Sequence, residues 1–361
     1  MGPGVMGPGL QASVVLPTHG RRASLLRVLR ALGRQDAPPG AFEVVVVCDG
    51  DVDGSAAACR AIASELPYPL HVLAQENGGP AAARNSGVCV ARASLVVFLD
   101  DDVVPDEGLI AAHLKAQAGQ DTCVAIGPLL PPPNLRLNAW GAWEEGTLCR
   151  QYYFLSNGLW PPGPRHFYTG NASVRREHIL AAGGFDAHFE RAEDVELAYR
   201  LQERGLRFVF LPEARGWHYV WRSFDSWLRL PVAYGAADVT MARAGRPWVL
   251  EAVADGYRGR SHAVRTAARL CIGRPPLLRP AVLALGLLAR VADRTGYTLL
   301  GNAACSLLFH LRYYDRLASE LGGRRAFAEL LRGRPVAELL APRASRASRT
   351  SRTSREPVGA G

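Results

Sequence analysis

The stretch Leu95–Asp102, LVVFLDDD, sets five apolar residues directly against three consecutive carboxylates. An unbroken apolar run of this length, rich in Val and Phe, is what a strand buried on both faces requires. Three like charges at its carboxyl end are costly, because each carboxylate that leaves water loses solvation and repels its neighbours. A cation or a set of hydrogen-bond donors is therefore expected beside Asp100, Asp101 and Asp102. Ligands of open α/β sheets collect beyond the carboxyl ends of the strands, so the meaning of the triplet depends on whether LVVFL belongs to such a sheet.

The preceding chain predicts that it does. Ser13–Leu16 reads as a buried strand, and from Arg22 the residues Leu25, Leu26, Leu29 and Leu32 recur at helical spacing up to Gly33. Glu43–Val47 is a second strand, running into CDGDVDG and then an Ala-rich helix that ends near Leu66. Leu70–Leu73 is a third strand, Pro80–Ala91 a helix, and Leu95–Leu99 the fourth strand. Four alternations of strand and helix argue for a mostly parallel sheet flanked by helices, a Rossmann-like α/β fold. Asp49 and the Asp100 triplet both fall at carboxyl ends of strands and are expected to face one crevice.

Beyond the triplet the pattern loosens. Val124–Gly127 is a short strand, and residues 131–167, rich in Pro, Trp and Tyr with little periodicity, read as a long functional loop region. Then come Tyr168–Val174 and a short helix from Glu177. In the following helix Val195, Ala198 and Leu201 share a face while Glu196 and Arg200 form an (i, i+4) pair. Glu193 and Asp194 sit in its first turn, where the helix dipole favours carboxylates.

Composition narrows the class. The chain has 361 residues, 48% of them apolar, enough for a large core, and a formal net charge of +9. Much of that charge lies in RASRASRTSRTSREP near the carboxyl end; with its five arginines and one glutamate set aside the rest carries +5, spread widely. That distribution argues against a nucleic-acid partner. Residues 341–361 read as a disordered Arg/Ser tail and residues 1–11 as a flexible leader without a secretory or myristoylation signal. Seven cysteines without a CxxC pair fit a reduced, cytoplasmic setting.

Six segments in order, SVVLPTHGR, FEVVVVCDG, NGGPAAARNSG, VVFLDDD, TGNASVRREHILAAGGFD and AEDVELAYRLQERG, resemble the successive motifs of glycosyltransferase family 2, enzymes of the GT-A fold. The resemblance spans residues 12–222 and implies a nucleotide-diphosphate-sugar donor, Mn²⁺ or Mg²⁺, and inversion at the anomeric carbon. By the same resemblance Asp102 is the direct metal ligand, and Asp100 meets the nucleoside or the metal's waters. Asp101 stands where the family varies. Pro17, Thr18, Asp49 and Arg84 fall at donor-binding positions, Asp49 toward the nucleobase and Arg84 toward the nucleotide. Asp194 matches the general base, with Glu193 beside it, and His218 matches a metal-binding histidine.

The chemistry is coherent with those positions. Breaking a sugar–phosphate bond leaves extra negative charge on a diphosphate, which a divalent cation held by oxygen ligands neutralises. An acceptor hydroxyl needs a base as it attacks. The chain departs from the family in Cys48-Asp49, where two acidic residues are usual, and in His19-Gly20, where Tyr-Asn is usual, so the nucleobase preference is open. No HExxH pattern is present, and the single lysine, Lys115, disfavours Schiff-base chemistry and a haloacid-dehalogenase type of phosphatase.

The expected organisation is a GT-A catalytic domain over 12–245, a helical region over 246–340, and the tail. Leu277–Ala292 and Thr295–Leu311 read as apolar helices, neither a clean membrane span; they are expected either to cap the domain or to lie against a membrane. The expected partners are a nucleotide-diphosphate sugar, a hydroxyl acceptor that is lipid-linked or otherwise, as in cell-envelope polysaccharide synthesis, and an anionic membrane surface. A sugar-phosphate nucleotidyltransferase and a non-catalytic nucleotide-sugar-binding module are the alternatives. The former normally carries a Gly-rich loop with a lysine after its first strand, where this chain reads PTHGRRAS.

Overall fold

The structure, a computed structural model, describes residues 9–189, 191–219 and 222–341; the leader up to residue 8 and the tail from residue 342 lie outside the described residues. The chain forms two compact units, residues up to 137 with 144–221, and residues 138–143 with those from 222 onward.

The first unit opens as expected: β1 (Ala12–Thr18), α1 (Arg22–Leu32), β2 (Phe42–Asp49), α2 (Ser55–Ile62), β3 (Leu70–Gln75), α3 (Gly79–Val90), β4 (Leu95–Leu99). Then follow β5 (Val103–Pro105), α4 (Leu109–Gln117), β6 (Cys123–Ile126), β7 (Leu129–Leu130), α5 (Ala139–Ser156), β8 (Asn171–Arg175), α6 (Arg176–Ala181), α7 (Glu193–Glu203), β9 (Arg207–Phe210) and β10 (Gly216–His218). Seven strands make one sheet in the order β3-β2-β1-β4-β8-β6-β9. All neighbours are parallel except β8, which runs antiparallel to both β4 and β6. The chain moves outward from β1 to β3 and returns to β4 on the other side of β1. The crevice beyond β1 and β4 is therefore the switch point at which such sheets take ligands.

Successive strand residues point to opposite faces, and the sequence fills both. Val14, Leu16, Val44, Val46, Val97 and Leu99 pack with Leu25 and Leu29 of α1. Val15, Val96, Phe98, Val124 and Ile126 pack with Val88 of α3 and Leu197, Ala198 and Leu201 of α7. Each buried Val or Leu contributes about 1.5–3 kcal/mol. Gly87 lets α3 lie close on β1, since a Cβ there would meet Val15 Cγ1 at 2.4 Å. That seating brings Arg84, on the same helix, to the strand ends.

One expectation is corrected. Residues 131–167 are not one long loop, because they contain the 18-residue helix α5. Aromatic, charged and small residues surround α5 without a one-sided apolar stripe, so the helical period that marks its neighbours is absent.

A second sheet, β5-β10-β7, is small but positions the site. β5 begins directly after the acidic triplet and pairs antiparallel with β10, setting His218 opposite Val103.

The second unit is helical: α8 (Phe224–Arg243), α9 (Trp248–Arg258), α10 (His262–Cys271), α11 (Pro275–Thr295), α12 (Thr298–Glu320), α13 (Arg324–Leu331) and α14 (Val336–Leu340). Leu250, Tyr257, Tyr314, Leu317 and Phe327 centre one of its cores, and Trp227, Ala289, Ala304 and Leu308 another. α11 stops at Gly296, which takes the left-handed conformation (φ 76°) that favours glycine. By length and composition alone α11 is long and apolar enough to cross a membrane. Its charges, Arg279, Arg290, Asp293 and Arg294, leave an apolar window between them.

Candidate functional site

The cations expected at the triplet are side chains of the protein. Asp101 points inward and accepts from Thr18 Oγ1 at 2.6 Å and from Arg21 Nη1 at 3.0 Å. The same Arg21 nitrogen is 2.5 Å from Asp102 Oδ2. Asp100 Oδ1 accepts from Arg84 Nη2 at 2.9 Å. Asp102 Oδ1 lies 3.7 Å from His218 Nε2. Two arginines and a histidine thus surround three carboxylates. Burial first, then repulsion from Asp102 and Asp100, raises the Asp101 carboxyl to about 6, against the opposing pull of Arg21 and Thr18.

Arg84 joins the triplet to the acid pair. It is 6% exposed and donates through its other terminal nitrogen to Glu193 Oε1 at 2.7 Å. Residues 16 and 109 positions away in the chain therefore share one guanidinium. The one positive charge of this buried arginine is shared between two carboxylates, and its removal would leave both without their partner.

Glu193 and Asp194 open α7, and the chain enters that helix through Ala192 at φ 62°, the one non-glycine residue in the left-handed region among the described residues. Asp194 Oδ1 accepts from the amide of Val195 at 2.8 Å. Burial, and next the charge of Glu193, pushes the Asp194 carboxyl up to about 7, with Arg84 opposing.

His218 closes β10, and the following amide, of Tyr219, donates to the carbonyl of Asp102 at 2.8 Å. Burial alone would lower its pKa; Glu145 and Asp102 outweigh that and raise it. Asp49 ends β2 with its carboxylate accepting from Gln75 Nε2, Gly78 N and Gly79 N, each at 2.9 Å, and so caps the start of α3. Pro17 lies in β1 opposite Val47, half-buried. The structure thus gathers Thr18, Asp102 and His218 around Asp101 and Arg21, and Asp100 and Glu193 around Arg84, the two sets meeting through the backbone of the triplet. Asp49 stands two strands away, bound to the turn before α3.

Two residues of the network carry no sequence signal. Arg21 sits in the turn after β1 and meets the triplet only because β1 and β4 are neighbours. Glu145 lies on α5, where no helix is predicted, and faces His218 Nδ1 at 3.4 Å.

Asp102 and His218 offer a carboxylate oxygen and an imidazole nitrogen to one point, donor types that Mn²⁺ accepts. No preformed group of three or more His, Cys, Asp or Glu ligands is present among the described residues. Such sparse protein ligation suits a divalent ion that also takes phosphate oxygens and water. The residues present fit the ion in that sense.

A switch-point crevice with an acidic turn on one side and an acidic helix start on the other is the plan of the GT-A fold. Residues 13–181, just under half of the chain, match the family model described as glycosyl transferase family 2. It is 31% identical over 236 residues to validoxylamine A glucosyltransferase of Streptomyces hygroscopicus subsp. limoneus, covering 56% of this chain and 50% of the relative. The chain spans about half the length of the curated relatives it matches. Among solved structures, a mannosyltransferase of Pyrobaculum calidifontis in complex with GDP-Man and Mn²⁺ superposes with a TM-score of 0.56 at 21% identity, over 85% of this chain and 87% of that one. Residues 1–349 of S. aureus TarS in complex with UDP-GlcNAc superpose with a TM-score of 0.52 at 15% identity, over 85% and 90% of the two chains. At those identities the likeness is one of fold.

Proposed function

We propose that the protein transfers a sugar from a nucleotide-diphosphate-sugar donor to an acceptor hydroxyl by an inverting displacement that needs Mn²⁺ or Mg²⁺. The observation that carries the reading is the Arg84 bridge, which ties the acidic turn after β4 to the acid pair at the start of α7. Asp102 and His218 would hold the ion, which supplies positive charge where the departing diphosphate gains negative charge. Pro17, Thr18, Asp49, Arg84 and Asp100 form the donor side. Asp194 takes the acceptor proton: the hydroxyl oxygen bonds to the anomeric carbon, the carbon–oxygen bond to phosphate breaks, and the proton passes to the carboxylate. A carboxyl raised toward neutrality is suited to that task. Glu193 keeps Arg84 in place and faces the acceptor.

The catalytic region on this reading is 12–245, with 246–340 as its helical companion, in a cytoplasmic protein. A lipid-linked acceptor for cell-envelope polysaccharide, presented at an anionic membrane surface, fits the exposed apolar residues of α11. The two solved neighbours named above are complexes with GDP-Man and with UDP-GlcNAc, which supports the donor class.

The test is slow hydrolysis of UDP-, GDP- and dTDP-sugars with Mn²⁺ and no acceptor. Release of free sugar and nucleoside diphosphate from one donor is expected. Pyrophosphate-dependent formation of a nucleoside triphosphate would instead identify a nucleotidyltransferase, and donor binding without turnover a binding module.

A further inference from the structure

Glu145 is 3% exposed, and neither of its carboxylate oxygens has a hydrogen-bond donor. A buried carboxylate in that condition is among the costliest groups a core can hold, and a leucine or methionine would fill the space without the cost. Facing it is His218, whose Nδ1 is buried, lacks a hydrogen-bond partner, and lies 3.4 Å from Glu145 Oε1. The opposite nitrogen of the same ring faces Asp102. The backbone on both sides of the ring is fixed, by pairing of Trp217 with Val104 and Leu130 and by the bond from Tyr219 N to Asp102 O. Only the ring's rotation and its tautomer are left to be set.

We propose that Glu145 is a positioning residue for the metal site: its carboxylate accepts the Nδ1–H of His218 and so turns the Nε2 lone pair toward Asp102. This rests on the reading of His218 as a metal ligand. A neutral imidazole has one N–H and one lone pair, and whichever nitrogen donates leaves the other to ligate. A carboxylate behind the ring selects the tautomer, restricts rotation and makes the ligating nitrogen more basic.

The test uses the full chain and Mn²⁺ alone, free ion being counted by electron paramagnetic resonance. Glu145→Leu should weaken Mn²⁺ binding by about 10–100-fold, the usual effect of losing such a partner. Glu145→Gln should recover part of the loss, because its amide oxygen still accepts from Nδ1–H. His218→Ala should lose at least as much as Glu145→Leu, and the double variant no more than His218→Ala. In the wild-type chain saturated with Mg²⁺, ¹⁵N resonance of His218 should show the proton on Nδ1, a reading that depends on no variant folding. Wild-type Mn²⁺ affinity in Glu145→Leu, with affinity lost in His218→Ala, overturns the role of Glu145. Additive losses in the double variant, or a proton on Nε2, overturn it equally. Unchanged affinity in His218→Ala removes the ligand reading itself, and the positioning role with it.

Discussion

At the scale of single residues the sharpest consequences concern Asp194. Asp194→Asn keeps size and the bond from Val195 N but cannot take a proton, so transfer should fall by about 10²–10⁴-fold with donor affinity unchanged. Equal loss of donor binding would mark a ligand instead of a base. The raised pKa has a sign that can be checked. A base works unprotonated, so kcat/KM should rise as pH passes upward through about 7. Glu193 is the largest contributor to that shift after burial, so Glu193→Gln should move the rise to lower pH; an unmoved profile would show that the limb belongs to another group. Asp102→Ala should leave the fold intact and abolish the extra thermal stability that donor and Mn²⁺ confer together, a difference read directly in Tm. What the sequence shows of this site is the set of charges at strand and helix ends. What it hides is the pairing. Arg84 is marked by its motif and Arg21 is not, yet for both only the order of strands decides that Arg21 bridges Asp101 and Asp102 while Arg84 bridges Asp100 and Glu193.

Elements whose pattern comes from periodicity were legible, and those held by scattered contacts were not. β1 to β4 announce themselves as apolar runs between helices because both faces of the sheet are covered. α5 does not, since its buried residues Trp140, Glu145, Tyr152 and Leu155 mix aromatic, acidic and aliphatic types. The entrance to α7 shows a related limit: nothing in RAEDVE announces that Ala192 adopts φ 62°. A left-handed alanine costs about 1–2 kcal/mol, a cost glycine avoids. Ala192→Gly should therefore stabilise the fold by about 1 kcal/mol in urea unfolding. A loss of stability would show that the local backbone is held by contacts of the alanine methyl that outweigh the strain.

For the whole molecule, the outer face of α11 and the turn into α12 matter most. Leu283, Leu287 and Leu299 are 73%, 63% and 86% exposed, with Arg290 and Arg294 also exposed between them. Apolar side chains beside arginines on one helix suit the boundary between headgroups and acyl chains. Replacing Leu283 and Leu287 by Asp should cut sedimentation with anionic vesicles at least tenfold and leave turnover of a soluble acceptor unchanged; equal sedimentation before and after would remove the membrane from the proposed partners. The sheet order carries a different consequence, for the sequence of folding. β1 to β4 are joined by short local connections, whereas β8, which completes the pairing of β4, arrives some 70 residues later in the chain. A chain that emerges amino end first can build β1 to β4 early, leaving β4 an open edge until β8 docks. Arg84 then meets Asp100 at the first stage and Glu193 only at the last. The half of the crevice that would receive the nucleotide is older, in the life of each molecule, than the half that would receive the acceptor.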